Sequence, residues 1–187
     1  MKKILLIIIV IFLTGCYNYT EINDLAFISS IGIDYNKTNE KFIVTYEILN
    51  DNSTGEGKIN KSYTISAEGK NITDAFNNTS LKVNNKPYFY HLKIIAIDET
   101  VAKKYTKDIV DYILRNPNVK NEFFLILIKN AKAKDILDKS DEVDPDIGNK
   151  IFKMIKSNEE QNNISIDQNF EATTKFFTSK LSNALIN

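Results

Sequence analysis

The sequence predicts an α/β fold, an α+β-like arrangement in which a central mixed β-sheet of about five strands is flanked by helices. Three observations lead there. Residues 25–34, 41–50 and 63–68 are β-branched and aromatic runs with period-two alternation; residues 71–83 and 99–116 carry apolar side chains at helical spacing; and residues 123–128 are an unbroken apolar run of strand length.

In the second run, Phe42, Val44, Tyr46 and Ile48 share one face, and residues 36–39 read as the turn that joins it to the first. Residues 51–58 hold Gly55 and Gly57 among polar neighbours and read as a loop. Tyr63, Ile65 and Ala67 then alternate with Thr64, Ser66 and Glu68, so the third strand is expected to keep one face in water. Asn71 is placed to cap a helix carrying Ile72, Ala75, Phe76 and Val83, with Asp74 in its first turn and Pro87 beyond its end.

Residues 88–98 read as one strand with Tyr90, Leu92, Ile94 and Ala96 on a single face. A helix over 99–116 follows, with Val101, Tyr105, Ile109, Tyr112 and Ile113 as its inward stripe. The run 123–128 suits a strand covered on both faces, so residues 88–128 form a βαβ unit, for which parallel pairing and a right-handed crossover are expected. Residues 133–139 predict a short helix, 141–146 an acidic loop and 147–157 an amphipathic helix; 158–169 is polar and linker-like, and 170–186 places Phe176, Phe177, Leu181 and Leu185 in helical register.

The amino terminus is of a different kind. Lys2 and Lys3 precede ten apolar residues, 4–13, and Leu13-Thr14-Gly15-Cys16 closes the segment. Ten helical residues span roughly 15 Å, about half of a bilayer's hydrocarbon core, so the segment reads as a removable export signal rather than a permanent span. Leu13-Thr14-Gly15-Cys16 resembles the lipobox of bacterial lipoproteins, which implies cleavage before Cys16 and a diacylglycerol on its sulfur, with fatty acyl chains such as palmitate. Two acyl chains hold a protein on a membrane where one does not. Cys16 is the only cysteine, so no internal disulfide is possible. The expected organisation is a signal peptide over 1–15, a tether over 16–22, an α/β domain over 23–157, and over 158–187 a linker with the start of an incomplete second domain.

Twenty-four basic and twenty-four acidic residues cancel, without long runs of one sign, which argues against a nucleic-acid surface. His91 is the only histidine, and nothing in the sequence brings a carboxylate or serine to it, so no catalytic residue is assigned. Asp138, Asp141, Glu142, Asp144 and Asp146 lack the EF-hand spacing and its glycine and read as a solvated loop, so no metal site is assigned. Gly69-Lys70 fails as a P-loop because Asn71 stands where Ser or Thr is needed. An enzyme is therefore not expected, and neither is a cofactor. Gly32 fits either a close backbone approach, a bulge or simple tight packing. Tyr88, Phe89, Tyr90 and His91 place aromatics on both sides of one strand, readable as core or as a partner-binding surface.

Three segments then resemble a known family: Asn23-Asp24-Leu25-Ala26 through Ile31-Gly32-Ile33-Asp34; Lys86-Pro87-Tyr88-Phe89-Tyr90-His91-Leu92-Lys93; and Leu114-Arg115-Asn116-Pro117 leading to Lys132-Ala133-Lys134-Asp135-Ile136-Leu137. With the lipobox they resemble the Ger(x)C family, the C-subunit lipoproteins of spore nutrient-germinant receptors. The resemblance implies a non-enzymatic subunit on the outer face of the cytoplasmic membrane, in the spore the inner membrane, working with integral-membrane A and B subunits. Family members carry further α/β domains, so the resemblance covers the first domain and the opening of the second. It carries over no ligand-contacting residue, and direct small-molecule binding stays open. A competing expectation is a lipid-anchored extracytoplasmic solute-binding protein, for which neighbouring transporter genes would speak.

Overall fold

The structure is a computed structural model that describes residues 21–49, 62–116, 118–119, 123–139 and 146–162. The signal peptide, Cys16, the loop over 51–58, most of the acidic loop and the helix over 170–186 lie outside these residues. Six strands form one mixed sheet, and the expected fold class is borne out with one strand more than foreseen. The strands are β1 (Leu25–Asn36), β2 (Lys41–Ile48), β3 (Tyr63–Gly69), β4 (Lys86–Tyr88), β5 (Ile94–Asp98) and β6 (Phe124–Ile128). The helices are α1 (Ile72–Lys82), α2 (Glu99–Lys104), α3 (Thr106–Leu114), α4 (Ala133–Leu137) and α5 (Ile147–Asn162).

The order across the sheet is β3-β2-β1-β5-β6, with β4 also on β1. β1 is thus central although it comes first. It pairs antiparallel with β2, from Ile28 opposite Ile48 to Asn36 opposite Lys41, and parallel with β5, Ser30 to Ile33 opposite Ile94 to Ile97. The hairpin turn is fixed locally: Thr38 N donates to Asn36 Oδ1 at 3.0 Å, and Glu40 takes a left-handed φ of 54°. β5 and β6 are parallel, joined through α2 and α3, as the βαβ expectation required.

Strand alternation divides the chemistry between two faces. On one face Ile31, Ile33, Val44, Tyr46, Ile95 and Ile97 meet Phe76 of α1 and Ile109 of α3 in the main core. On the other, Ile94, Ala96 and Phe124 meet Ala133, with Phe152 of α5 against them. Both faces of β6 are used, since Leu125 belongs to the first core and Phe124 to the second. The sheet therefore lies between two helical layers.

α1 forms as its sequence requires: Asn71 Oδ1 accepts from Asp74 N at 2.8 Å, and Ile72, Ala75 and Phe76 are buried. Three expectations are corrected. The single strand over 88–98 is two strands separated by a turn at Tyr90 and His91, closed by Leu92 N to Phe89 O at 3.0 Å. The buried pair is Phe89 and Leu92, three apart, a turn spacing that a period-two reading hides. The helix over 99–116 breaks at Tyr105, whose φ of −128° and ψ of 4° leave the helical region. Thr106 Oγ1 there donates back to Ala102 O at 2.8 Å, and the Tyr105 ring packs 4.8 Å from that of Phe42. α5 also runs on to Asn162, past residue 157 where the sequence pattern weakens.

Candidate interaction surface

β1, β3 and β5 begin, and β2 ends, at one end of the sheet, the end that the chain reaches first after Cys16. β4 lies along Leu25, Ala26 and Phe27 there, with Tyr88 opposite Phe27. Just beyond, the chain leaves the ladder, and Lys93 N rejoins β1 at Ser29 O, 2.9 Å away. The excursion carries the aromatic residues singled out in sequence.

The structure splits them. Phe89 turns inward, 8% exposed, with its ring edge-on to Tyr46 at 5.5 Å. It anchors the turn and is not surface. Tyr88, Tyr90 and His91 remain outside with Phe27: Phe27 meets Tyr88 at 5.8 Å and His91 at 5.5 Å, and Tyr88 stacks on Tyr90 at 5.9 Å. Tyr90 is 45% exposed. Such edge-on and stacked contacts fix ring orientation. Beside the cluster opens a cavity of about 380 Å³ lined by Ile22, Asn23, Phe27, Asn84 and Asn85 among others. Asn85 Nδ2 donates to Asn23 O at 2.8 Å across it.

The opposite end of the sheet is where carboxylates gather. Asp98 Oδ1 caps α2 through Val101 N at 2.7 Å, and its Oδ2 accepts from Tyr35 N at 2.8 Å. Asp34, wholly buried, accepts from Ala133 N at 2.7 Å and Lys134 N at 3.0 Å. Burial pushes the Asp34 carboxyl above the ordinary carboxylate range, against the pull of those two N–H groups, and neighbouring Asp98 adds to the rise. At the surface, Lys41 lies 3.0 Å from Glu68 and holds that carboxyl low.

A second buried carboxylate, missed in sequence, is Glu47 in β2. Its oxygens accept from Ser29 Oγ at 3.1 Å, Ser62 Oγ at 2.9 Å, Ile147 N at 2.8 Å and Gly148 N at 3.0 Å, the last two at the start of α5. A glutamate inside the apolar run of β2 was the available signal, since a buried charge needs donors. Of the acidic residues near α5, Asp146 Oδ1 accepts from Asn149 N at 2.8 Å and Asp138 accepts from Thr64 Oγ1. Both serve packing. Among the described residues no three His, Cys, Asp or Glu side chains gather as a metal site would require, and no helix is long and apolar enough to cross a membrane.

The three segments quoted above meet in space: the glycine and aspartate of Ile31-Gly32-Ile33-Asp34 receive α4, while Tyr88 packs on Phe27 of the same strand. The profile described as "Spore germination protein N-terminal domain" matches residues 18–186. The chain belongs to this family. The resemblance to Ger(x)C proteins is thereby borne out. Among relatives of the Ger(x)C chain are "Spore germination protein KC" of Bacillus subtilis, 31% identical over 84% of this chain and 40% of the relative, and "Putative spore germination protein YfkR" of the same organism, 33% identical over 73% and 37%. "Spore germination protein GerQC" of Bacillus cereus is 26% identical over 84% and 43%. The chain thus spans about two fifths of the length of these relatives. No solved structure matches it.

Proposed function

We propose that the chain acts in spore germination as a membrane-tethered, non-enzymatic part of a nutrient-germinant receptor. It is held by a diacylglycerol on Cys16 at the outer face of the spore's inner membrane, beside integral-membrane A and B subunits. The observation that carries this reading is the family match over residues 18–186, in a chain whose Leu13-Thr14-Gly15-Cys16 has lipobox form. The names of the relatives support the role in germination. The aromatic end formed by Phe27, Tyr88, Tyr90 and His91 is proposed as its interaction surface.

Two experiments test the reading. Fatty-acid labelling with an intact mass should show a chain that begins at a diacylglyceryl Cys16, while Cys16→Ala keeps residues 1–15 and takes no label; an unlabelled wild type overturns the tether. Deletion of the gene, in spores stripped of redundant receptors, should abolish germination in at least one nutrient. Unchanged germination in every nutrient overturns the receptor role.

A further inference from the structure

We propose that the partner of the aromatic end is the bilayer interface itself, so that Tyr90 and the neighbouring Ile22 rest among lipid headgroups and the sheet stands on the membrane by its β1 start. The proposal rests on the tethering reading for its distance argument and otherwise on the structure.

Exposed apolar side chains are not scattered at random. Six large ones are exposed among the described residues, and three of them, Ile22 at 67%, Tyr63 at 45% and Tyr90 at 45%, belong to this one end. The turn itself carries no formal charge, since residues 87–92 contain no Asp, Glu, Lys or Arg; the charged residues nearest it are Glu21 and Asp24, on either side of Ile22 and Asn23, and Lys86, opposite Leu25. Lys93, which follows the turn, has its Nζ engaged at 2.6 Å by Asn149 Oδ1 of α5.

Between them lie tyrosine and histidine rings with an asparagine rim, Asn23, Asn84 and Asn85. Tyrosine is enriched where a membrane meets water because its ring is apolar and its hydroxyl stays wet, and amides find donors and acceptors among headgroups. Ile22 follows Cys16 by six residues. An extended chain of that length reaches about 20 Å at most, so acyl chains on Cys16 keep this end near the bilayer, whichever proteins are present. A protein partner would have to displace lipid that the tether supplies continuously.

The chain has no tryptophan, which permits a single reporter. The full protein is processed in its host and its Cys16 lipid verified by intact mass, then reconstituted in vesicles of phosphatidylcholine and phosphatidylglycerol with brominated acyl chains. Tyr90→Trp and, as a second variant, His91→Trp are compared with Thr38→Trp, whose position is exposed in the β1–β2 turn at the opposite end of the sheet. Trp at 90 and at 91 should be quenched by bromine at least about twofold more than Trp at 38, as expected for an interfacial ring. Equal quenching in vesicle-bound, lipidated protein overturns the proposal. So does shielding of Trp at 90 that appears only after membrane subunits are added, which would make the partner a protein. A chain without lipid on Cys16 instead fails the tether reading, and the mass tells the two failures apart.

Discussion

The Asp34 carboxylate and the Ala133 backbone N–H, ninety-nine residues apart, meet at 2.7 Å inside the protein. The aspartate stands at the end of β1 and supplies the cap that α4 lacks in its own sequence, where Lys132 makes no side-chain cap bond. Gly32, two residues earlier, completes the seat. A Cβ there would stand 3.1 Å from Leu137 Cδ1 and 3.4 Å from the Ala133 carbonyl carbon. Of the readings open for this glycine, tight packing and a close approach both describe how α4 sits on it.

Asp34→Ala leaves two buried N–H groups without an acceptor. It is expected to cost about 3 kcal/mol in urea denaturation. A variant that unfolds at the wild-type urea concentration would show that water replaces the cap.

Asp34 also makes a signed prediction about pH. Its folded value is raised, so its protonated form is favoured in the folded state. The stability contributed is then greatest in acid, near and below the ordinary value of 3.8, and declines as pH rises through the elevated value. The stability gap between wild type and Asp34→Asn should accordingly shrink as pH rises from acid toward neutrality. A gap that widens would mean that the two backbone donors outweigh burial.

Glu47 fastens α5 to the sheet. In Glu47→Ala the amides of Ile147 and Gly148 lose their acceptor, and hydrogen exchange at the first turn of α5 should rise well before that of β1. The overall cost is expected at about 3 kcal/mol. Uniform exchange across both elements would show that α5 is held by its apolar face instead.

Gly148 and Ser30 form a tight contact that a double variant can dissect. A Cβ on Gly148 would fall 1.7 Å from Ser30 Oγ, so Gly148→Ala should destabilise by about 2–4 kcal/mol. Ser30 Oγ is buried with no hydrogen-bond partner, and Ser30→Ala alone should be neutral or stabilising. With both changes the 1.7 Å contact is gone, while Glu47 Oε2 at 3.0 Å and the Cβ of residue 30 at 3.1 Å stay close, so part of the loss should return. Strict additivity of the two effects in a double-mutant cycle would contradict the contact.

Much of the fold was legible because its signals are local. The alternation of β2, the Asn71 cap of α1 and the apolar run of β6 each lie within a few neighbouring residues. The break between β4 and β5 was not, because Phe89 and Leu92 are buried by a turn that a period-two pattern absorbs unnoticed. The kink at Tyr105 escaped for a similar reason: the stripe from Val101 to Ile113 continues across it. The partners of the buried carboxylates were not legible, because both donors to Asp34 and two of the four donors to Glu47 lie about a hundred residues away, although a glutamate within the apolar run of β2 was itself a signal. Of the aromatic surface, the run 88–91 was visible as a candidate, but which residue faces in was not. Phe27, its fourth outer member, comes from a different strand and had no signal in that run.

The position of β1 has a further consequence, for the order of assembly. The first of the described strands to be synthesised is flanked on both sides, and its parallel neighbours begin only at Lys86 and Ile94. The hairpin with β2 can close early, since that contact is local, whereas the other edge of β1 waits for more than sixty further residues, Ser30 to Ile94. Until then it presents unpaired backbone and isoleucine-rich surface, the chemistry of strand-to-strand aggregation. A nascent chain halted before Ile97 is therefore exposed to aggregation, and a chain that has passed Ile128 can close the sheet.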